Sequence, residues 1–221
     1  MAFGNLRSRA IENSPLKSAE FRAVIGVSLL IMFGFGLIVP TLPLFAKRFG
    51  VGEAGVGLLL TVFAATRLAA DFVAGNLIDR HGERTMAGVG AAIVGLSSIG
   101  AGAAPNYAAL VVLRGLGGVG SAFFLGALMA HLIAMVSAEE RGRAMSVFQA
   151  VLGIGFLLGP VVGGVLAAAT DLRTPLFVYG AICLACAPLV LRVMSAVAVP
   201  PDALADASIE AVPAPAVRAW A

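Results

Sequence analysis

The chain has 221 residues, of which 60% are hydrophobic and only 12% charged, and its mean hydropathy is +0.99. A soluble domain carries about 25% charged residues, so this chain lacks the polar surface to cover itself in water. Its net charge of +3 does not point to nucleic acid, because the bases lie in short stretches between apolar runs instead of forming a patch.

Residues 1–21 are polar and of mixed charge, and read as a cytoplasmic lead-in with a short amphipathic piece. Six apolar runs follow: Arg22–Phe45, Val56–Ile78, Met86–Ala104, Tyr107–Val136, Ala144–Ala169 and Pro175–Met194. Each approaches the roughly 20 residues that cross a bilayer as a helix, and none shows the alternation of a barrel strand of about ten residues. The first run is longer than the apolar region of a signal peptide, and Lys47 and Arg48 follow it, so it reads as an uncleaved first helix. It carries Gly34, Gly36, Pro40 and Pro43. The short connections predict that consecutive helices are neighbours in an antiparallel bundle.

The second run holds Arg67 and Asp71, one turn apart. Arg67 lies roughly 16 Å from either end of its run at 1.5 Å per residue, too deep to reach an interface, so it must face the bundle interior or a water-filled cavity. Asp71 is its expected partner. It is also the one acid within any run, which makes it the first candidate proton carrier. The segment that ends this run reads Gly75-Asn76-Leu77-Ile78-Asp79-Arg80-His81-Gly82-Glu83-Arg84, with glycines placed for turns or close approach and charges set at a membrane face.

The fourth run places Arg114 roughly 10 Å deep, where an unpaired charge costs several kcal/mol. Gly115-Leu116-Gly117-Gly118-Val119-Gly120 satisfies a GxGxxG pattern, but a dinucleotide loop needs a strand before it and a helix after it in a soluble α/β sheet, and apolar helices surround this one. His131, near the end of the run, has no second ligand nearby in sequence and reads as interfacial. The fifth run carries Gly155, Gly159, Pro160, Gly163 and Gly164. Gly155, Gly159 and Gly163 share one helical face open to close helix approach, and Pro160 invites a kink. Cys183 and Cys186 form a CxxC inside the sixth run with no further ligand, so they read as small apolar residues, not as a metal or redox site. Residues 195–221 are rich in Ala and Pro without apolar periodicity and read as a flexible tail.

Charge sets the orientation. With a cytoplasmic N-terminus, Arg7, Arg9, Lys17, Arg22, Arg80, Arg84, Arg141, Arg143, Arg192 and Arg218 lie inside, and only Lys47, Arg48 and Arg173 outside. This asymmetry predicts that both termini are cytoplasmic.

Three of these segments resemble signatures of the major facilitator superfamily, in its order and on its helices. Gly75, Leu77, Asp79, Arg80, Gly82 and Arg84 match the loop signature G-x-L-x-D-R-x-G-R-R, with Glu83 where a base is usual. Arg114 and Gly118 match R-x-x-Q-G, with Gly117 in place of glutamine. Gly155, Gly159, Pro160, Gly163 and Gly164 match the fifth-helix signature of antiporters, G-x8-G-x3-G-P-x2-G-G, with Ser146 at the first glycine. The ERGRA stretch at Glu140–Ala144 also resembles the family's loop before its fifth helix, and the first run is similar to the first helices of drug-efflux members. The resemblance covers Arg22–Met194, and the tail resembles the family's central linker.

The resemblance implies an all-α, six-helix membrane bundle at 22–194, half of a transporter fold, built as two three-helix repeats of inverted topology. It implies alternating-access transport of a small solute, proton-coupled and directed to efflux. Arg114 would couple energy, and the loop around Asp79 would latch a gate. Expected partners are the lipid bilayer, a small-molecule solute, protons, and a second six-helix half or a homodimer, with no nucleic acid, cofactor or metal. The alternative is a non-transporting membrane protein: a remnant, partner subunit or scaffold. Nothing in the sequence suggests an enzyme, since the runs hold no HExxH, paired acids or Ser/His set.

Overall fold

The computed structural model describes residues 18–194. The expected tail at 195–221 and most of the lead-in at 1–21 lie outside these residues. Six helical spans, each long and apolar enough to cross a membrane, account for nearly all of the described chain: Ala19–Lys47, Glu53–His81, Glu83–Gly102, Tyr107–Ala134, Arg141–Ala169 and Thr174–Val193. No strand occurs among the described residues.

The ends follow from local chemistry. The Ser18 hydroxyl accepts the Phe21 amide at 3.0 Å, and Glu20 sits in the first turn, where a carboxylate complements the helix dipole. The first helix therefore starts at Ala19, earlier than the hydrophobic run suggests. The first span is not one rod. It runs Ala19–Ile38, breaks at Val39 and Pro40, and resumes as Thr41–Lys47. Pro40 lacks an amide donor and its ring crowds the preceding turn. The Thr41 hydroxyl donates to the Ile38 carbonyl at 3.2 Å, satisfying an acceptor left at the break. The fourth span opens on an Asn106 cap, which accepts the Ala109 amide at 2.9 Å.

The expected connection at 79–85 is almost absent. The second span stays helical to His81 and the third begins at Glu83, so Gly82 is the whole link. Its φ of +82° lies where side chains are strained, and this is why a glycine is needed there.

Helix order in space departs from helix order in sequence. The second span packs on the fourth, the fourth on the third, the third on the sixth, the sixth on the first, and the first on the fifth. Consecutive spans are mostly not close neighbours, contrary to the expectation from their short connections; only the third and fourth are. A short link fixes where two helix ends meet but not which flank each helix buries. Exchanging the first span with the fourth, the second with the fifth and the third with the sixth maps this order onto itself. Each repeat has three spans, so the two repeats cross in opposite directions, which is the inverted 3+3 architecture. The second and fifth spans are the two ends of the row. Only 11% and 17% of their apolar windows are buried, against 39–61% for the others.

Candidate functional site

Midway through the bundle a pocket is lined by Ile31, Phe35, Arg67, Ser121, Phe124 and Tyr179, among others. Phe35 organises it, stacking on Phe63 at 5.6 Å and on Phe156 at 6.2 Å, and meeting Tyr179 edge-on at 6.1 Å. Gly34 leaves room for the Tyr179 ring, which would lie 2.6 Å from a Cβ at that position. Arg114 is 3% exposed, with its guanidinium carbon 4.5 Å above the centre of the Phe63 ring. That contact gives a buried cation some compensation. Its Nε, however, has no hydrogen-bond partner, and no acid among the described residues pairs with the group.

Arg67 and Asp71 do not form the expected ion pair among the described residues. Arg67 is half-buried and lines the pocket, whereas Asp71 is exposed on the open face of the second span. Four residues of α-helix overshoot a full turn by about 40°, enough to carry the carboxylate past the pocket rim.

The second and fourth spans approach closely here. The Thr66 hydroxyl donates to the Gly115 carbonyl at 2.9 Å, and a Cβ on Gly118 would meet the Phe63 carbonyl at 2.5 Å. Gly117, which stands where the signature has glutamine, faces Ser97 of the third span, whose hydroxyl would lie 3.0 Å from a Cβ. A side chain there would require the Ser97 hydroxyl to give way.

In the loop motif, Gly82 is the pivot already described. Gly75 is exposed within the second span and a Cβ would meet nothing within 4 Å, so the turn and close-approach roles expected of it do not apply inside this bundle. Asp79, Arg80 and Arg84 are exposed and make no ion pair with one another.

In the fifth span, Gly155, Gly159 and Gly163 are buried against the first span. A Cβ on Gly155 would meet the Leu29 carbonyl at 2.9 Å, one on Gly159 would meet the Gly36 Cα at 2.5 Å, and one on Gly163 would strike Leu37. Pro160 packs beside Gly36, 3.1 Å from where its Cβ would be. Gly164 faces open space. The glycine face is thus a contact within the chain.

His131 corrects another expectation. It is fully buried rather than interfacial, and bridges Glu83 at 3.1 Å through Nδ1 and Glu20 at 3.0 Å through Nε2. The sequence signal was present but faint: Glu20 and Glu83 open the first and third spans, at the end of the bundle where the fourth closes. At the opposite end Arg48 pairs with Asp171 at 2.7 Å and Lys47 with Glu53 at 2.6 Å. The hydrogen bond from Arg48, helped by the Arg173 amide, holds the Asp171 carboxyl below its usual range. Cys183 and Cys186 are free and buried in the sixth span.

A membrane bundle of paired three-helix repeats, with the half-buried Arg67 lining a central aromatic pocket and Arg114 buried against the Phe63 ring, defines the class as a secondary-transporter fold. The sequence model of the Major Facilitator Superfamily matches residues 24–221, and the chain belongs to this family. It is 34% identical to multidrug resistance protein 2 of Bacillus subtilis over 151 residues, covering 68% of this chain and 38% of that protein. It is 26% identical to the quinolone resistance protein NorA of Staphylococcus aureus over 153 residues, covering 69% and 39%. The chain thus spans about two fifths of the length of these relatives. In structure it matches the human organic anion transporter MFSD10 with a TM-score of 0.70 at 18% identity, over 81% of this chain and 48% of that one, a likeness of fold. The chain is therefore a multi-pass membrane protein.

Proposed function

We infer that the chain forms the N-terminal half of a proton-coupled efflux transporter. A second six-helix half or a second copy of the chain would complete it, covering the open faces of the second and fifth spans. The observation that carries this reading is the charge pattern of the second and fourth spans. Arg114 is buried with an unpartnered Nε, Arg67 lines the pocket, and Asp71 is exposed nearby on an otherwise apolar face. A charge facing lipid at this depth costs at least about 2.5–3.5 kcal/mol, so a water-filled path or a protein partner beside Asp71 is the favourable arrangement. Asp71 then exchanges protons with that path, Arg114 couples proton and solute occupancy, and the loop around Asp79 latches the gate. The basic inside loops favour cytoplasmic termini. The names of the relatives suggest a drug-like solute, a quinolone among them.

The test is flux into vesicles reconstituted with the full chain, driven by an imposed proton gradient, with a fluorescent quinolone as probe. Asp71→Asn should abolish gradient-driven flux and leave the melting temperature unchanged, because Asp71 has no ion-pair partner among the described residues to strand. Flux equally proton-dependent in both proteins would remove Asp71 from the mechanism. A folded wild type with no flux would favour the non-transporting reading.

A further inference from the structure

Glu20, His131 and Glu83 form a three-residue chain across the first, fourth and third spans. The ring of His131 is 0% exposed, and the two carboxylates are 23% and 19% exposed. Both ring nitrogens lie within hydrogen-bond range of a carboxylate oxygen, Nε2 of Glu20 at 3.0 Å and Nδ1 of Glu83 at 3.1 Å. A neutral imidazole has one N–H, so its other nitrogen would present a lone pair to a carboxylate; only the imidazolium donates at both. The alternative of a protonated glutamate and neutral ring holds the same number of protons, but histidine is the more basic group by about two units in water. The nitrogens point in opposite directions, so the triad does not converge on a metal ion, and no metal-holding group occurs among the described residues.

Other charges lie at this end of the bundle: Arg22 on the first span, Asp79, Arg80 and His81 on the second, Arg84 on the third, Glu139 and Glu140 before the fifth, Arg141 and Arg143 on it, and Arg192 on the sixth. Among the described residues the His131 ring pairs only with Glu20 and Glu83. Glu83 is also the residue that departs from the loop signature, standing where a base is usual. A base there would face a cationic ring, whereas the acid completes the chain. It adjoins Gly82, the one-residue pivot between the second and third spans.

We propose that Glu20, His131 and Glu83 are a proton-binding clasp. One proton, held on the buried imidazole, ties the Gly82 pivot and the third span to the first and fourth. Loss of that proton to solvent leaves one ring nitrogen without a donor and releases one of the two carboxylates. The inference is independent of whether the chain transports a solute.

Nitrogen-15 NMR of histidine rings in detergent-solubilised full chain tests it, with His81→Gln leaving His131 as the sole histidine. At pH 7.5, where an unperturbed histidine of pKa about 6.5 is mostly neutral, both His131 nitrogens should give imidazolium signals. A neutral single tautomer would overturn the proposal. Glu83→Gln in the same background should turn the ring neutral, because an amide can satisfy an imidazole lone pair. The parent measurement decides the proposal even where Glu83→Gln fails to fold.

Discussion

Asp171 accepts from the Arg48 guanidinium and the Arg173 amide, and these bonds favour its ionised form. A carboxylate whose folded pKa is depressed adds stability above its unfolded value of 3.8, and the contribution disappears as pH falls through the folded value. The wild type should therefore melt above Asp171→Asn at pH 6, and the gap should narrow as pH falls below 3.8 towards the folded value. A gap that did not narrow on acidification would mean that the pair contributes through shape and not charge. Single-residue roles were unevenly legible in the sequence. The depth of Arg114 followed from counting residues along a helix. The partners of Arg67 and His131 did not, because a helix position fixes a direction only to within tens of degrees, and distant helices decide what lies there. Sequence spacing joined Arg67 to Asp71, whereas the packing turns one to the pocket and the other outward. It left His131 alone, whereas helix ends from two other spans reach it.

Helices and their glycines were more legible. All six spans occur where the apolar runs predicted, because about 20 apolar residues have few other folds available. What the runs could not show was the break at Pro40, hidden inside continuous hydrophobicity, and the contraction of the expected connection at 79–85 to the single pivot Gly82. The Gly155–Gly163 face was legible as a contact surface, but its partner, the first span, was not. That contact makes a sharp prediction. Gly159→Leu drives a side chain into the backbone of Gly36 and should lower stability by about 1–3 kcal/mol or more. Gly164→Leu, five residues on and facing open space, should be near neutral. Thermal melting of the two variants checks this, and equal losses would place the contact face elsewhere.

For the whole molecule, the six spans form a row whose two ends, the second and fifth, expose long apolar faces: Phe72 is 80% exposed and Leu157 73%. Exposure alone fits lipid as well as a partner. Asp71 and Gln149, exposed on those two faces within the membrane span, favour water or protein over acyl chains. The family resemblance implied two inverted three-helix repeats, but the order that places these spans at the ends emerged only from the packing and was not readable from connection lengths. The account rests on the claim that these faces border an aqueous path, and cysteine accessibility in vesicles tests it directly. With Cys183 and Cys186 replaced by alanine, single cysteines enter at Gly75 and Gly153, where a Cβ meets nothing, and at Val89, on the outer face of the third span. Gly75 and Val89 are each six residues, about 9 Å, from the same end of the bundle. A charged, membrane-impermeant thiol reagent should label positions 75 and 153 at least about ten times faster than position 89, since thiolate formation needs water. Equally slow labelling at all three positions would mean that the second and fifth spans face lipid, and would contradict the account.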